Sequence, residues 1–348
     1  MIKATIIIIT HNRSSCLRRL LDYYKRNKND FKIIVADSSS DENKIVNKEI
    51  ISSFPDLDIL YLYDYSDKVE IRYQFADAIN HVKTKYCLLC ADDDFITPKG
   101  IKQSVNFLES NPDFTVALGY FISFYSKTKK RGEKQFYWKP LYSHKSITFP
   151  DPKLRLAKHL SDYSLVTIFG VHRADFFKMI FRETLKFTDA ERFAELLPSM
   201  LTLIYGKMKC LDVLYAVREI TLDSSGIAGE DIYDFIKEGS YNGKYTKFRN
   251  CLATHLSKKS HLKIEESEKV IDDAMSAYLK KYYPNKYQYL LKYLPGGMYE
   301  KIRALYVRTR LTFPKRNFSN STDNLPSKYY NDFTKIRDCV ISHAKSNK

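Results

Sequence analysis

Short apolar runs alternate with amphipathic helical segments through the first 110 residues, and this alternation constrains the fold more than any other feature. The runs at residues 4–10, 32–36, 57–63 and 86–90 are continuously apolar or nearly so. Helical periodicity fills the gaps between them, and Pro98 begins a further helix, a position that favours proline. Continuous apolar strands joined by helices predict an α/β, Rossmann-like and mostly parallel sheet with helices on both faces.

The pattern of elements changes further along the chain. Strand-like runs at 114–125, 165–172 and 209–220 mix with helical segments at 173–181 and 190–205. After a polar turn at 223–231 the sequence is helical and rich in Lys and Tyr. We therefore predict an α/β domain over residues 1–228 and a helical, basic region over residues 229–348.

Polar segments follow three of the predicted strands, at residues 10–14, 37–43 and 92–94. In parallel α/β sheets, ligands bind at the carboxyl ends of the strands, so we expect these segments to converge on one crevice. The third segment is three consecutive carboxylates, Asp92, Asp93 and Asp94, whose charges repel one another. A capped turn needs only one Asp. A hard cation such as Mg²⁺ or Mn²⁺ accounts for three adjacent Asp residues, because the cation cancels their repulsion and binds a diphosphate.

The stretches TIIIITHNR, IIVADSSSDEN and YCLLCADDDFITPKGI resemble the three successive motifs of the family 2 glycosyltransferases, which have the GT-A fold. The resemblance covers roughly residues 1–225. It implies that the first two motifs hold a nucleotide and that the third holds the metal and the diphosphate of a nucleotide sugar. Two positions depart from the pattern: Asp37 stands alone where an acidic pair is usual, and Ala91 replaces the first Asp of the metal motif.

These motifs supply the expected site residues. The donor-binding candidates are Thr10, His11, Arg13, Asp37, Ser39, Asp77, Asp92 and Asp93. The metal candidates are Asp94, Asp92 and Asp93, with Asp94 or Asp93 expected to contact the ion. The implied cofactors are Mn²⁺ or Mg²⁺ and a nucleotide-diphosphate sugar, with a UDP-sugar favoured.

Inverting sugar transfer needs a carboxylate that takes the proton from the attacking hydroxyl group. In the family this base begins a helix that precedes an apolar run and a Gly, and the stretch TDAERFAELLPSMLTLIYGK is similar. Glu195 is the first candidate, with Asp189 and Glu191 as alternatives. Three more residues are expected to line the acceptor or diphosphate side: His172, Arg173 and Arg218.

The chain has a formal net charge of +16, which favours anionic partners. Residues 293–316 combine Lys and Arg with a helical apolar face, which suits either an anionic membrane surface or packing on the catalytic domain. The expected acceptor is a saccharide or a lipid-linked saccharide, and the resemblance suggests a role in bacterial surface-polysaccharide assembly. The alternatives are a nucleotidyltransferase and a basic nucleic-acid-binding protein, although no nucleic-acid partner is expected, because three carboxylates repel phosphates.

The sequence also bears on location. No apolar run is long enough to span a membrane, and the N-terminal run lacks the cleavage site of a signal peptide. We therefore expect a cytoplasmic protein, including one that binds peripherally to the inner face of the membrane. Cys87 and Cys90 form a C-x-x-C within a strand, where residues three apart face opposite ways, so we predict buried free thiols.

Overall fold

The protein is described here by a computed structural model that covers residues 3–128, 133–139, 142, 145–163, 167–186, 191–220, 241–282 and 325–346. The strands are β1 (Ala4–Thr10), β2 (Lys32–Asp37), β3 (Ile59–Leu62), β4 (Tyr86–Ala91), β5 (Phe95–Ile96), β6 (Phe114–Thr128), β7 (Lys134–Trp138), β8 (Val171–Arg173) and β9 (Lys207–Glu219). The helices are α1 (Ser14–Arg26), α2 (Asp41–Ser52), α3 (Ile71–Asn80), α4 (Pro98–Ser110), α5 (Pro152–Ser161), α6 (Ala174–Thr184), α7 (Glu191–Tyr205), α8 (Tyr241–Ser260), α9 (Ile264–Tyr282) and α10 (Ser327–Ser346).

All of these strands belong to one sheet, in the order β3-β2-β1-β4-β8-β6-β9-β5, with β7 paired to β6. Strands β1 to β4 are parallel to one another. Every residue of β1 is buried, which requires cover on both faces of the sheet. Cys87 and Cys90 of β4 are buried free thiols. The predicted mostly parallel α/β sheet is therefore confirmed.

The strand order reverses at β1, and this reversal creates the crevice. The chain runs outward from β1 to β2 and β3 and then returns to form β4 on the other side of β1. Thr10 lies opposite Asp37 in the register of β1 with β2, and Ile9 lies opposite Ala91 in the register with β4. The three strands thus end level with one another, which brings their polar segments to one edge of the sheet.

A tight turn follows β4 and positions the acidic triplet. The amide of Asp94 donates to the carbonyl oxygen of Ala91 at 3.1 Å. The chain then enters β5, which pairs antiparallel with β9 so that Phe95 lies opposite Val217. This pairing carries Arg218, the next residue of β9, to the side of the triplet.

Three parts of the middle segment differ from the prediction, and the first is strand β7, which was not anticipated. Residues 167–172 do not form one continuous strand: Thr167–Phe169 is a 3-10 turn, closed by a hydrogen bond of 2.9 Å from the Gly170 amide to the Thr167 carbonyl, before β8 begins. Helix α5 was not anticipated. Its start has a clear local cause, because Pro152 occupies the first turn and the Asp151 carboxylate accepts from the Lys153 amide at 2.9 Å.

The described C-terminal helices pack on the central sheet and its helices. Helix α8 packs on α7 and α9, and α10 packs on α1 and β9. The boundary near residue 230 stays a prediction, because residues 221–240 and the basic segment 293–316 lie outside the described residues. Among the helices that the structure does describe, none has both the length and the apolar character needed to cross a bilayer.

Candidate active site

The acidic triplet is buried at the end of β4. Asp92, Asp93 and Asp94 are 3%, 6% and 4% exposed. Arg13 lies beside two of them, with its Nη1 at 3.0 Å from Asp92 Oδ1 and at 2.8 Å from Asp93 Oδ2. The Thr10 hydroxyl donates to Asp92 Oδ2 at 2.7 Å. Four of the predicted site residues therefore form one hydrogen-bonded group that joins the ends of β1 and β4.

Asp94 faces the opposite direction, toward the end of β9. Arg218 donates from Nε to Asp94 Oδ2 at 2.9 Å, and the Glu219 amide donates to Asp94 Oδ1 at 3.2 Å. The Arg218 guanidinium also lies over the ring of Phe169, 4.6 Å from its centroid. The predicted candidate Arg218 thus reaches the triplet itself, where it is held between a carboxylate and an aromatic face.

Two residues that the sequence did not single out complete this network. Arg19 of α1 donates from Nη2 to Glu219 Oε2 at 2.6 Å and to the Asp93 carbonyl oxygen at 3.3 Å. The signal for Glu219 was its position, since an Arg-Glu pair follows five buried residues of β9. No local pattern distinguishes Arg19 from its neighbour Arg18, so that contact is visible only in three dimensions.

The arginines offset only part of the cost of burying the triplet. Burial and the neighbouring charge of Asp93 raise the pKa of Asp92 to about 7, against the opposing effects of Arg13 and Thr10. Burial likewise raises the pKa of Asp94 to about 6, although Arg218 acts to lower it. The raised pKa values mean that a further positive charge would stabilise the ionised cluster at neutral pH.

The oxygen atoms of the triplet suit a hard divalent cation, and their hydrogen bonds distinguish the three residues. Both carboxylate oxygens of Asp92 and both of Asp94 accept hydrogen bonds from protein groups. Asp93 accepts through Oδ2, whereas Oδ1 has no hydrogen-bond donor among the described residues. Asp93 therefore has the oxygen that is available to an incoming ion.

Asp37 fixes the shape of the loop after β2. Its side chain is fully buried, and it accepts from the Ser39 amide at 2.8 Å, from Asn47 Nδ2 at 2.7 Å and from the Tyr61 hydroxyl at 2.6 Å. Both carboxylate oxygens are thus used within the protein. The single Asp at this position connects β2, α2 and β3, which positions the loop that the resemblance assigns to nucleotide binding.

The loops after β1 and β2 are bonded to each other. The exposed His11 lies with Nδ1 at 2.8 Å from the Ser38 carbonyl oxygen, so this nitrogen donates. Asn12 has a left-handed backbone, with φ of 55°. Its amide donates to Ser39 Oγ at 2.8 Å and its Oδ1 accepts from the Ser40 amide at 2.9 Å. The predicted residues His11 and Ser39 consequently belong to one wall of the crevice.

Asp77 lies on α3 and its contacts are local. Its side chain is exposed and accepts from the Tyr65 hydroxyl at 2.6 Å. His81 lies one turn further along the helix, with Nε2 at 3.7 Å from the Asp77 carboxylate. These contacts do not join Asp77 to the acidic cluster, so its donor-binding role stays a prediction.

His172 and Arg173 serve packing. His172 is fully buried, bonds through Nε2 to the Thr167 carbonyl oxygen at 2.9 Å and stacks on Phe177 with 4.1 Å between ring centroids. Arg173 donates from Nη2 to the Leu108 carbonyl oxygen at 2.6 Å, at the end of α4. Arg173 also donates from Nη1 to the Tyr86 hydroxyl at 3.3 Å, and none of the hydrogen bonds that the structure describes for the two residues goes to the acidic cluster.

Glu195 lies half-buried on α7. Ser199, one turn later on the same helical face, accepts from the Thr167 amide at 3.2 Å. That face of α7 is therefore turned toward the Thr167–Phe169 turn, whose Phe169 supports Arg218 beside the acidic cluster. Helix α7 is thus linked to the acidic cluster indirectly, by the contact of Ser199 with Thr167 and by the contact of Phe169 with Arg218.

The two alternative bases are less well defined. Asp189 lies outside the described residues. Glu191 begins α7, but its side chain also lies outside the described part of the chain. The choice among Glu195, Asp189 and Glu191 accordingly stays a prediction.

Comparison with known families agrees with the order of these motifs. A family model described as Glycosyl transferase family 2 matches residues 5–179, which is half of the chain and runs from β1 into α6. The chain belongs to glycosyl transferase family 2. It is therefore a glycosyltransferase, as the three motifs predicted. A search of curated proteins returned no match.

Solved structures show the same fold at low sequence identity. The crystal structure of S. aureus TarS residues 1–349 has a TM-score of 0.53 and 11% identity, with 99% of this chain and 91% of that chain covered. The same TarS fragment in complex with UDP-GlcNAc has a TM-score of 0.55, 12% identity and coverage of 99% and 91%. The complex with UDP has a TM-score of 0.50, 14% identity and coverage of 99% and 89%. These matches confirm the predicted GT-A fold.

Proposed function

We propose that this glycosyltransferase moves a sugar from a nucleotide-diphosphate sugar, with a UDP-sugar as the expected donor, to a saccharide or a lipid-linked acceptor. The observation that carries the proposal is the buried acidic cluster at the strand reversal, in which no described residue donates a hydrogen bond to Asp93 Oδ1. The TarS complexes with UDP-GlcNAc and UDP support the donor class, because they share this fold. Family membership favours glycosyl transfer over nucleotidyl transfer or nucleic-acid binding.

Asp93 is the residue we assign to a Mn²⁺ or Mg²⁺ ion. Arg13 fixes the orientation of Asp93 by donating to its Oδ2, which leaves Oδ1 for the ion. Asp92 is held by Thr10 and Arg13 and contributes negative charge next to the ion. When bound, the ion supplies positive charge to the diphosphate of the donor and stabilises it as a leaving group.

The loops after β1 and β2 form the proposed nucleotide side of the crevice. The hydrogen bonds between Asn12 and residues Ser39 and Ser40 hold these loops together before a donor binds. Asp37 and its three donors set the path of the second loop. Such pre-ordering lowers the entropy that binding would otherwise cost.

We assign the general base of an inverting transfer to Glu195. Its position one turn before Ser199 supports this, since Ser199 contacts the Thr167–Phe169 turn and the Phe169 ring of that turn lies against Arg218. A carboxylate there accepts the acceptor hydroxyl proton as the oxygen attacks the anomeric carbon. Substitution from the side opposite the diphosphate inverts the configuration at that carbon.

The charge of the chain supports an anionic acceptor or an acceptor carried at an anionic membrane surface. The excess of 57 Lys and Arg over 41 Asp and Glu would attract either one. Co-sedimentation with vesicles that contain anionic lipid, compared with neutral vesicles, separates the two. Binding to the anionic vesicles alone supports the membrane-bound acceptor.

A thermal-shift screen of nucleotide sugars, with and without Mn²⁺, tests the proposal. A cognate donor at about 100 times its dissociation constant stabilises the folded protein by about 2.7 kcal/mol. We expect this shift for a UDP-sugar in the presence of Mn²⁺ and its loss on addition of EDTA. A shift that is unchanged by EDTA would refute the proposed role of the ion. The absence of a shift with every nucleotide sugar would refute the proposed donor class. Proton NMR of the product then gives its anomeric configuration.

A further inference from the structure

We propose that Glu183, Cys251 and His255 form a zinc-binding site that joins α6 to α8, apart from the glycosyltransferase site. Their ligand atoms all lie within 4.8 Å of one another. A thiolate sulfur, an imidazole nitrogen and a carboxylate oxygen are the three ligand types that Zn²⁺ takes in proteins. A water molecule completes the tetrahedral set.

The spacing of the ligands favours an ion over a direct contact. Cys251 and His255 are four residues apart on α8, which puts both side chains on one face of the helix. Glu183 approaches from α6, with its Oε2 at 3.6 Å from His255 Nε2. That distance is too long for a hydrogen bond. It is close to the roughly 3.3 Å that separates two ligands bound at about 2.0 Å to a tetrahedral ion.

Tyr205 orients the imidazole of His255. The Tyr205 hydroxyl lies 2.6 Å from Nδ1 of His255. When Nδ1 carries the proton and donates to the phenol oxygen, the lone pair of Nε2 points to the side of Glu183. A second hydrogen bond of this kind is the usual support for a metal-bound His.

Cys251 is a thiol in a suitable position. It is half-buried, and its sulfur has no hydrogen-bond partner among the described residues. Burial raises the pKa of this thiol to about 11. Zinc binding would therefore release one proton from sulfur to solvent, since the ion binds the thiolate.

Lys186 neutralises Glu183 in the structure, donating to both of its carboxylate oxygens at 2.8 Å. The Lys186 side chain is 62% exposed, so it is free to move into solvent when an ion replaces its charge. We therefore expect Lys186→Met to strengthen zinc binding. If the cluster were only an ion pair, the same substitution would leave zinc binding unchanged.

A second cluster with the same three ligand types, a carboxylate, a thiol and an imidazole, provides a matched control. Asp22, Cys339 and His343 also include a Cys and a His four residues apart on one helix, α10. Here His343 Nε2 lies only 2.9 Å from Asp22 Oδ2, a direct hydrogen bond, and Arg26 lies 2.7 Å from the same oxygen. The Cys339 thiol also has a partner, the Arg19 carbonyl oxygen at 3.6 Å. Because the imidazole bonds the carboxylate directly and the thiol is already engaged, we expect no metal there.

Titration of the reduced full-length protein with Co²⁺, followed by absorbance, tests the proposal. We expect one Co²⁺ with a thiolate-to-cobalt charge-transfer band, a signal that the carboxylates of Asp92 to Asp94 do not give. Cys251→Ser and His255→Gln should remove the band, whereas Cys339→Ser should retain it. Tyr205→Phe should weaken Zn²⁺ affinity about tenfold in competition with a chelator.

Circular dichroism and thermal unfolding of each variant establish that it is folded. Glu183→Gln is included as a variant that removes the carboxylate with little change in the shape of the side chain. Absence of the band in the wild-type protein overturns the proposal. A band that survives Cys251→Ser also overturns it. A band that disappears only in Cys339→Ser overturns it as well, because that result would assign the metal to the cluster of Asp22, Cys339 and His343.

Discussion

Arg218 donates to Asp94 at 2.9 Å, and this bond decides how the acidic triplet is used. It turns Asp94 toward β9, while Arg13 and Thr10 turn Asp92 toward β1. Only Asp93, between them, has a carboxylate oxygen that no described donor occupies. Asp92 and Asp94 are therefore held by hydrogen bonds within the protein, whereas Asp93 has an oxygen that a ligand can reach.

Asp93→Asn should remove the Mn²⁺-dependent donor shift and leave the fold intact. The one oxygen of the new amide group accepts from Arg13, which places the amide nitrogen, a donor, where the ion would bind. The substitution relieves repulsion among the triplet and Arg13 keeps Asp92 as a partner, so the free energy of unfolding should change by less than about 1 kcal/mol. Isothermal titration calorimetry with Mn²⁺ and a nucleotide sugar measures the first effect, and urea denaturation measures the second.

Asp94→Asn is the matched variant and should behave differently. Both oxygens of Asp94 accept hydrogen bonds, so the amide nitrogen of the Asn side chain would face either Arg218 Nε or the Glu219 amide. Because a donor then faces a donor, we expect the free energy of unfolding to fall by about 2 kcal/mol. If Asp94→Asn abolishes Mn²⁺ binding while Asp93→Asn retains it, our assignment of the ligand within the triplet is wrong.

Glu195→Gln should lower kcat by about 100-fold to 10,000-fold while donor binding stays near the wild-type level, because the amide cannot accept the acceptor proton. Turnover of the donor identified by thermal shift provides the measurement. Glu191→Gln and Asp189→Asn are the comparison variants. A loss of turnover in either variant, with Glu195→Gln still active, would mean that the substituted residue is the general base and that our assignment to Glu195 is wrong.

Asp37→Asn should destabilise the fold by about 2 to 3 kcal/mol, since the new amide group confronts donors that the carboxylate accepts. Tyr61→Phe removes one of those donors and should cost about 1 kcal/mol. The double variant, compared with the two single variants by chemical denaturation, gives the coupling between them. Strict additivity would mean that the hydrogen bond of 2.6 Å contributes nothing to stability.

Acid should weaken the protein through His172. Burial lowers the pKa of this imidazole to about 4 from an ordinary value of 6.5. Between about pH 6.5 and pH 4, His172 is therefore protonated in the unfolded chain but not in the folded protein. The free energy of unfolding falls by about 3 kcal/mol as the pH falls through that window. Denaturation midpoints at a series of pH values measure the slope.

His172→Phe isolates this contribution. The replacement keeps a ring to stack on Phe177 and removes the titrating group, so the difference from wild type should shrink as the pH falls from 6.5 to 4. Asp92 acts in the opposite sense, because its raised pKa stabilises the folded state at low pH and that stabilisation is lost between about pH 4 and pH 7. A pH-independent difference between the variant and wild type would refute the assignment to His172.

The parts of the fold with local causes could be predicted from the sequence. The apolar period of β1 to β4 and the polar residues at their ends predicted both the sheet and the meeting of Thr10, Arg13 and the triplet. The orientation of Asp94 could not be predicted, because it depends on the pairing of β5 with β9, more than 100 residues later in the chain. The contact of Arg19 with Glu219 has the same origin, a separation of 200 residues.

Helix α10 rests on α1, where the Cys339 thiol lies 3.6 Å from the Arg19 carbonyl oxygen. The first helix of the chain thus acquires part of its cover from the last described one, and α1 also supplies Arg19 to the acidic loop. Before residues 327–346 have been synthesised, α1 therefore lacks the part of its cover that α10 supplies. The packing of α1, and with it the setting of Arg19, can be completed only after synthesis has passed that helix, so this face of α1 folds late.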